Sequence, residues 1–153
     1  MLPAQTTNPL VAPQKAAYER IKGNFVKAAE KMPEESYSFK PVPEVESFGQ
    51  RVAHITNQIR ACSSINGASK QPEAGKTSKA DLVAGLKASF DECDKAWAGT
   101  IEANAFDMIA GGRGQQARLG ILIGTTIHAN EVYGAMGVYM RLKGIVPPSS
   151  EGR

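Results

Sequence analysis

Histidine and cysteine are scarce in this chain of 153 residues: it has two of each, His54 and His128, Cys62 and Cys93. The two cysteines match no zinc or redox spacing, so a cysteine-rich metal site and a C-x-x-C redox centre are excluded. Both fall on apolar helix faces, and buried free thiols are the expectation, with a disulfide as the alternative. There is no run of 18 or more apolar residues, so no membrane-spanning helix is predicted. Strong charge is also missing. The net charge of +3 is too mild for a nucleic-acid surface, where a clustered basic face is needed. The basic residues of the first periodic segment alternate with Glu19 and Glu30, as on a solvated surface. The start, "MLPAQTTNPLVAPQK", lacks a basic region followed by an apolar core. That reads as a soluble, cytoplasmic chain, with an exported mature form carrying an added Met as the other option. The length suffices for one domain with its own core. Residues 1–8 are expected to be a disordered N-terminal segment, and 9–150 a single domain.

What is present is helical periodicity. Tyr18, Ile21, Phe25, Ala28 and Met32 recur by three and four. So do Phe48, Val52, Ile55, Ile59 and Cys62, and then Val83, Leu86, Phe90, Cys93 and Trp97. Such seams line a bundle core. Ser47 followed by Gln50 is a capping-box pattern, and Ser78 with Asp81 is an N-cap with a carboxylate in the positive first turn. "NGASKQPEAGKT", from Asn66 to Thr77, reads as a loop, and "AGGRGQQ", from Ala110 to Gln116, as a second break. The last segment, about Ala117 to Lys143, is apolar nearly all round and ends at Gly144, Pro147 and Pro148. It is therefore buried on more than one side, and its Gly120, Gly124, Gly134 and Gly137 suggest close approach of another helix or room for a ligand. With no sustained alternation of period two, the fold class is all-α, an antiparallel four-helix bundle. Its fourth helix is either central or shared with a second subunit.

Most motifs fail on inspection. "GKTSKAD" ends like a phosphate-binding loop, but Lys70 stands where the pattern needs its first glycine, and no strand precedes it. "GGRGQQ" could offer backbone N–H groups to an anion, though a flexible connector is the preferred reading. No nucleophile with an adjacent base is apparent. On periodicity alone, a lone histidine such as His54 or His128 is more often a hydrogen-bonded core residue than a ligand.

Two stretches, "GQRVAHITNQ" around His54 and "IHANEVYGAMGVYMRLKGIVPPSS" at the end, together with "PEESYSFKPVPEVESFG", resemble the DinB/YfiT-like superfamily. The subgroup it is most similar to ends in a pattern like H-x-N-E-H-Y-G, then Y-x-R-x-K-G-I-V-P-P. His128, Asn130, Glu131, Tyr133, Gly134, Tyr139, Arg141 and Lys143 to Pro148 match it. The resemblance implies a four-helix bundle, often a homodimer. It also implies a divalent metal, zinc or nickel, on three histidines, one from the second helix and two from the fourth. By matched position His54 and His128 are the first two ligands. Val132 stands where the third belongs. Glu131, three residues after His128, shares its face and could lean in as a carboxylate ligand.

The resemblance therefore implies a DinB-like protein of metal-dependent hydrolase or thiol-transferase type, with a degenerate metal site of low or no occupancy. Around it, Ile121, Gly124, Thr125, Ala135 and Tyr139, with Val132, are expected to line a largely apolar pocket for a small molecule. The alternatives are a metal-free bundle that binds a small apolar ligand there, and a structural or regulatory homodimer without catalysis.

Overall fold

A computed structural model describes residues 9–111 and 114–152; the expected disordered segment, 1–8, lies outside them. Within them the chain runs α1 (Val11–Lys31), α2 (Phe48–Thr56), α3 (Gln58–Ile65), α4 (Lys79–Ala98), β1 (Met108–Gly111), β2 (Gly114–Ala117) and α5 (Arg118–Leu142), with three short 3₁₀ turns. The fold is mostly helical. Four helical arms, with α2 and α3 forming the second, surround one core in which Trp97, Phe25, Phe48, Phe90, Leu122 and Met136 are fully buried. That is consistent with the expected four-helix bundle. Among the described residues no helix is long and apolar enough to cross a membrane.

Three expectations need correction. The fold is not purely α, because β1 and β2 pair antiparallel from Met108 opposite Ala117 to Gly111 opposite Gly114. The stretch expected to be a flexible connector, Ala110–Gln116, thus belongs to two paired strands on either side of residues 112–113, which lie outside the described residues. It is tied to α5 by Arg118 and Leu119, whose N–H groups donate to the carbonyls of Asp107 and Ala105. Four-residue strands are too short to show alternation. The second helix is also not continuous. Thr56 Oγ1 donates to the Ala53 carbonyl, and Asn57 Nδ2 to the His54 carbonyl. Side chains that bond nearby carbonyls compete with the helical ladder, and α2 ends there.

The third correction concerns the cysteines. Cys62 and Cys93, 0% and 1% exposed, are not free thiols but a disulfide joining α3 to α4, with their Cα atoms 4.8 Å apart. The two seams that suggested buried thiols face each other, and each brings its cysteine to the same contact.

The caps form as expected. Ser47 and Gln50 make a reciprocal capping box, and Ser78 caps α4. Gly144, at φ +72°, ends α5 in the left-handed conformation. The chain beyond it folds back. Ser149 bonds the Tyr133 hydroxyl, and Lys31 of α1 holds both the Val146 carbonyl and Glu151.

The loop after α3 is held by Glu92 of α4, whose side chain is 6% exposed. Lys70 reaches its carboxylate at 2.6 Å, Asn66 Nδ2 at 3.1 Å and Lys95 at 3.3 Å. The Lys70 hydrogen bond outweighs desolvation and, with Asn66 and Lys95, lowers the Glu92 carboxyl from 4.5 to about 2. Because the folded value lies below the unfolded one, the stabilisation is complete above about pH 4.5 and is lost as pH falls toward 2. Glu92→Gln should therefore weaken the fold at neutral pH and flatten the fall of the urea midpoint between pH 4.5 and 2.5. If variant and wild type fall in parallel, this group does not cause the acid sensitivity.

Candidate metal centre

The capping box fixes where α2 begins: Ser47 Oγ accepts the Gln50 N–H at 3.2 Å, and Gln50 Oε1 accepts the Ser47 N–H at 2.8 Å. Two turns on, His54 leaves the helix toward α5, where it meets His128. Their Nε2 atoms are 2.9 Å apart and their ring centroids 5.0 Å. Neither is a core histidine; the side chains are 42% and 49% exposed. Each outer nitrogen looks at a carboxylate. Glu46 Oε1 is 3.4 Å from His54 Nδ1, and Glu131 Oε2 is 3.6 Å from His128 Nδ1.

Glu46 is placed by Tyr139. The Tyr139 hydroxyl donates to the Glu46 carbonyl at 2.8 Å and accepts from Arg51 Nε at 3.0 Å. The Arg51 guanidinium lies 5.1 Å from the Tyr139 ring centre, near enough for cation–π attraction. Glu46 and Arg51 were not among the residues singled out from the sequence. Arg51 could have been, since it precedes His54 by three and shares its face. Glu46 could not, because it precedes the helix in irregular chain.

The other expected residues surround this pair unevenly. Val132 is 6% exposed, one turn beyond His128. Ile121 and Tyr139 are buried, Thr125 and Ala135 half-buried, and Gly124 exposed. A groove of about 690 Å³ lies elsewhere, between α2, α3, α4 and residues 71–76, and none of the expected pocket residues lines it.

The donors meet the implied metal halfway. With a hydrogen on each Nδ1 facing its carboxylate, both Nε2 lone pairs point at each other, and one cation between them removes the repulsion. A proton fits at 2.9 Å. Two zinc–nitrogen bonds of about 2.0–2.1 Å at a tetrahedral angle need the nitrogens about 3.3 Å apart. The two nitrogens stand about 0.4 Å closer than that. A third ligand is lacking: Val132 is apolar, Glu131 faces the outer nitrogen of His128, and among the described residues no three His, Cys, Asp or Glu cluster around one point. The residues suit an exchangeable two-ligand ion, not a three-histidine centre.

Residues 17–129 match the DinB superfamily. The chain belongs to that superfamily. No curated protein matches it. The DinB fold is similar to that of a DinB-like protein from Bacillus cereus, at 18% identity and a TM-score of 0.73 over 88% of this chain and 93% of that one. It is also similar to a conserved protein from Enterococcus faecalis, at 14% identity and a TM-score of 0.65 over 88% and 97%. A mycothiol-dependent maleylpyruvate isomerase shares 12% identity and a TM-score of 0.57 over 83% of this chain and 59% of that one. At these identities the likeness is one of fold.

Proposed function

We propose that this DinB-superfamily chain is of metal-dependent hydrolase type, with an exchangeable divalent ion held by His54 and His128. The observation that carries the reading is the facing Nε2 pair at 2.9 Å, with a carboxylate behind each ring. Ligand histidines characteristically direct their second nitrogen to such a partner, which fixes the ring and raises its basicity. When bound, zinc or nickel would supply a Lewis acid that lowers the pKa of a coordinated water. Glu46 and Glu131 orient the rings, Tyr139 and Arg51 position Glu46, and Val132 keeps one side of the site dry.

Thiol transfer is the companion reading, supported by the fold shared with a mycothiol-dependent enzyme. The Cys62–Cys93 disulfide favours water over a small thiol. Structural disulfides belong to oxidising compartments, where reduced thiols are scarce. The same bond supports an exported protein over a cytoplasmic one. A metal-free ligand binder is the remaining alternative, and it draws on the 690 Å³ groove, whose walls include Ile59, Leu82, Ala84 and Ala88.

The test is a calorimetric titration of tag-free protein with zinc and nickel. One ion per chain should bind with micromolar affinity, and His54→Ala and His128→Ala should each abolish it. If wild type takes up no ion, or if either variant binds as wild type does, the metal reading fails. A thermal shift by apolar compounds that survives both alanine variants would then favour the groove.

A further inference from the structure

Arg51 precedes His54 by one turn on the same face of α2. Its Nε donates to the Tyr139 hydroxyl at 3.0 Å, and its guanidinium lies 5.1 Å from the centre of that ring. Tyr139 is itself held. It is 4% exposed, its hydroxyl donates to the Glu46 carbonyl at 2.8 Å, and its ring stands edge-on to Phe39 with 6.0 Å between centres. The hydroxyl and the ring of one buried tyrosine therefore fix the guanidinium.

The other end of the guanidinium is unused. Among the described residues its two terminal nitrogens make no hydrogen bond and no ion pair, and they are not buried. Glu46, the acid that Tyr139 places beside Arg51, turns to His54 Nδ1 instead, at 3.4 Å. Holding Glu46 needs only Nε and the Tyr139 hydroxyl, so that role leaves the terminal pair without a task. Two parallel N–H groups on a rigid plane match the two oxygens of a carboxylate. A second cation stands on the far side of the aromatic pair. Lys143 Nζ lies 4.5 Å from the Phe39 ring centre, and among the described residues Lys143 also has no ion pair. Two unneutralised positive charges on one wall draw an anion toward it.

We propose that the terminal nitrogens of Arg51 form an anion subsite beside the His54–His128 pair, and that the substrate is a small acyl compound with a carboxylate a few bonds from the bond that is cleaved. The subsite rests on Arg51 itself. Its part in a hydrolysis rests on the metal reading above. In that reaction the oxygen of water joins the acyl carbon, the bond to the alcohol or amine breaks, and the leaving group takes a proton. Arg51 holds the distant carboxylate throughout and exchanges no proton, because its guanidinium stays charged at any ordinary pH. Anchoring the far end orients the acyl carbon, and it discriminates against acyl compounds that lack the charge.

Two measurements test this, one of them without metal. In metal-free protein, propionate should shift the NMR signal of the Arg51 Nε–H, identified by its loss in Arg51→Lys. Propionamide at equal concentration and chloride at equal ionic strength should not. In zinc-loaded protein, the monohydroxamate of succinic acid should bind at least about tenfold more tightly than butanehydroxamate, in which a methyl group replaces the carboxylate. In Arg51→Gln that ratio should fall to about one. A loss acting only through Glu46 would weaken both hydroxamates alike and keep the ratio, so a ratio that survives Arg51→Gln overturns the proposal. Equal binding of the two by wild type overturns it as well. If the phosphonate analogue of the succinate probe binds more tightly than the succinate, the carboxylate assignment fails. Wild type that takes up no zinc removes the metal reading, while the propionate titration still decides the subsite. Zinc uptake with neither the shift nor the tenfold ratio removes the subsite and leaves the metal reading standing.

Discussion

Val132→His should convert a weak two-histidine site into a tight one, and should reverse its effect on stability according to whether metal is present. Position 132 is one turn beyond His128, so the new ring would rise from the same face about 5–6 Å away at Cβ. Losing even an outer partner of a metal ligand costs about 10–100-fold in affinity. A third first-contact imidazole should therefore gain more than about 100-fold in zinc affinity. Without metal the variant suffers. Val132 is 6% exposed in the core cluster, and a larger, polar ring there should cost about 1–3 kcal/mol. With zinc at 100 times its dissociation constant, binding returns about 2.7 kcal/mol. The melting temperature should thus fall below wild type in chelator and recover to it or rise above it in zinc. Val132→Gln, similarly bulky but a poor zinc ligand, should fall without recovering. If Val132→His binds zinc no better than wild type, position 132 does not face His54, and the matched positions of the family pattern are misplaced.

Removing the disulfide should be the largest purely structural loss. Cys62 and Cys93 are separated by 31 residues. Closing a loop of that length restricts the unfolded chain by about 3–4 kcal/mol. For a protein of this size that corresponds to roughly 6–16 °C in melting temperature. The double variant Cys62→Ala, Cys93→Ala should show this drop, and wild type unfolded and refolded in reductant should match it. Because both sulfurs are buried, reductant added to the folded protein should act only as slowly as the protein opens. Equal melting temperatures for oxidised and reduced protein would show that the cross-link contributes nothing to stability.

The seam of Tyr18, Ile21, Phe25 and Ala28 is buried as its spacing predicts, and the Ser47–Gln50 box forms as its pattern predicts. His54 and His128 were singled out because each lay on a helix in a family-like stretch, and the fold brings them within hydrogen-bonding distance. Their exposure was not foreseen: an apolar neighbourhood in sequence suggested burial, but on a helix the neighbours in sequence point elsewhere. Glu46 was missed because its place is set by Tyr139, 93 residues away.

The helical arms, their caps and the end of α5 are legible in the chain's own order, because capping and 3-4 periodicity are written within a few adjacent residues. Legible there too is the valine at the third ligand position of the family pattern. Long-range packing sets where α2 stops, at Thr56, the pairing of Met108–Gly111 with Gly114–Ala117, the bond between the cysteines and which nitrogen of each histidine faces which partner. Those outcomes depend on groups brought together from distant parts of the chain, His54 and His128 across 74 residues and Cys62 and Cys93 across 31. No local pattern encodes such pairings, since they are settled by which packing buries the seams and leaves the fewest polar groups unpaired.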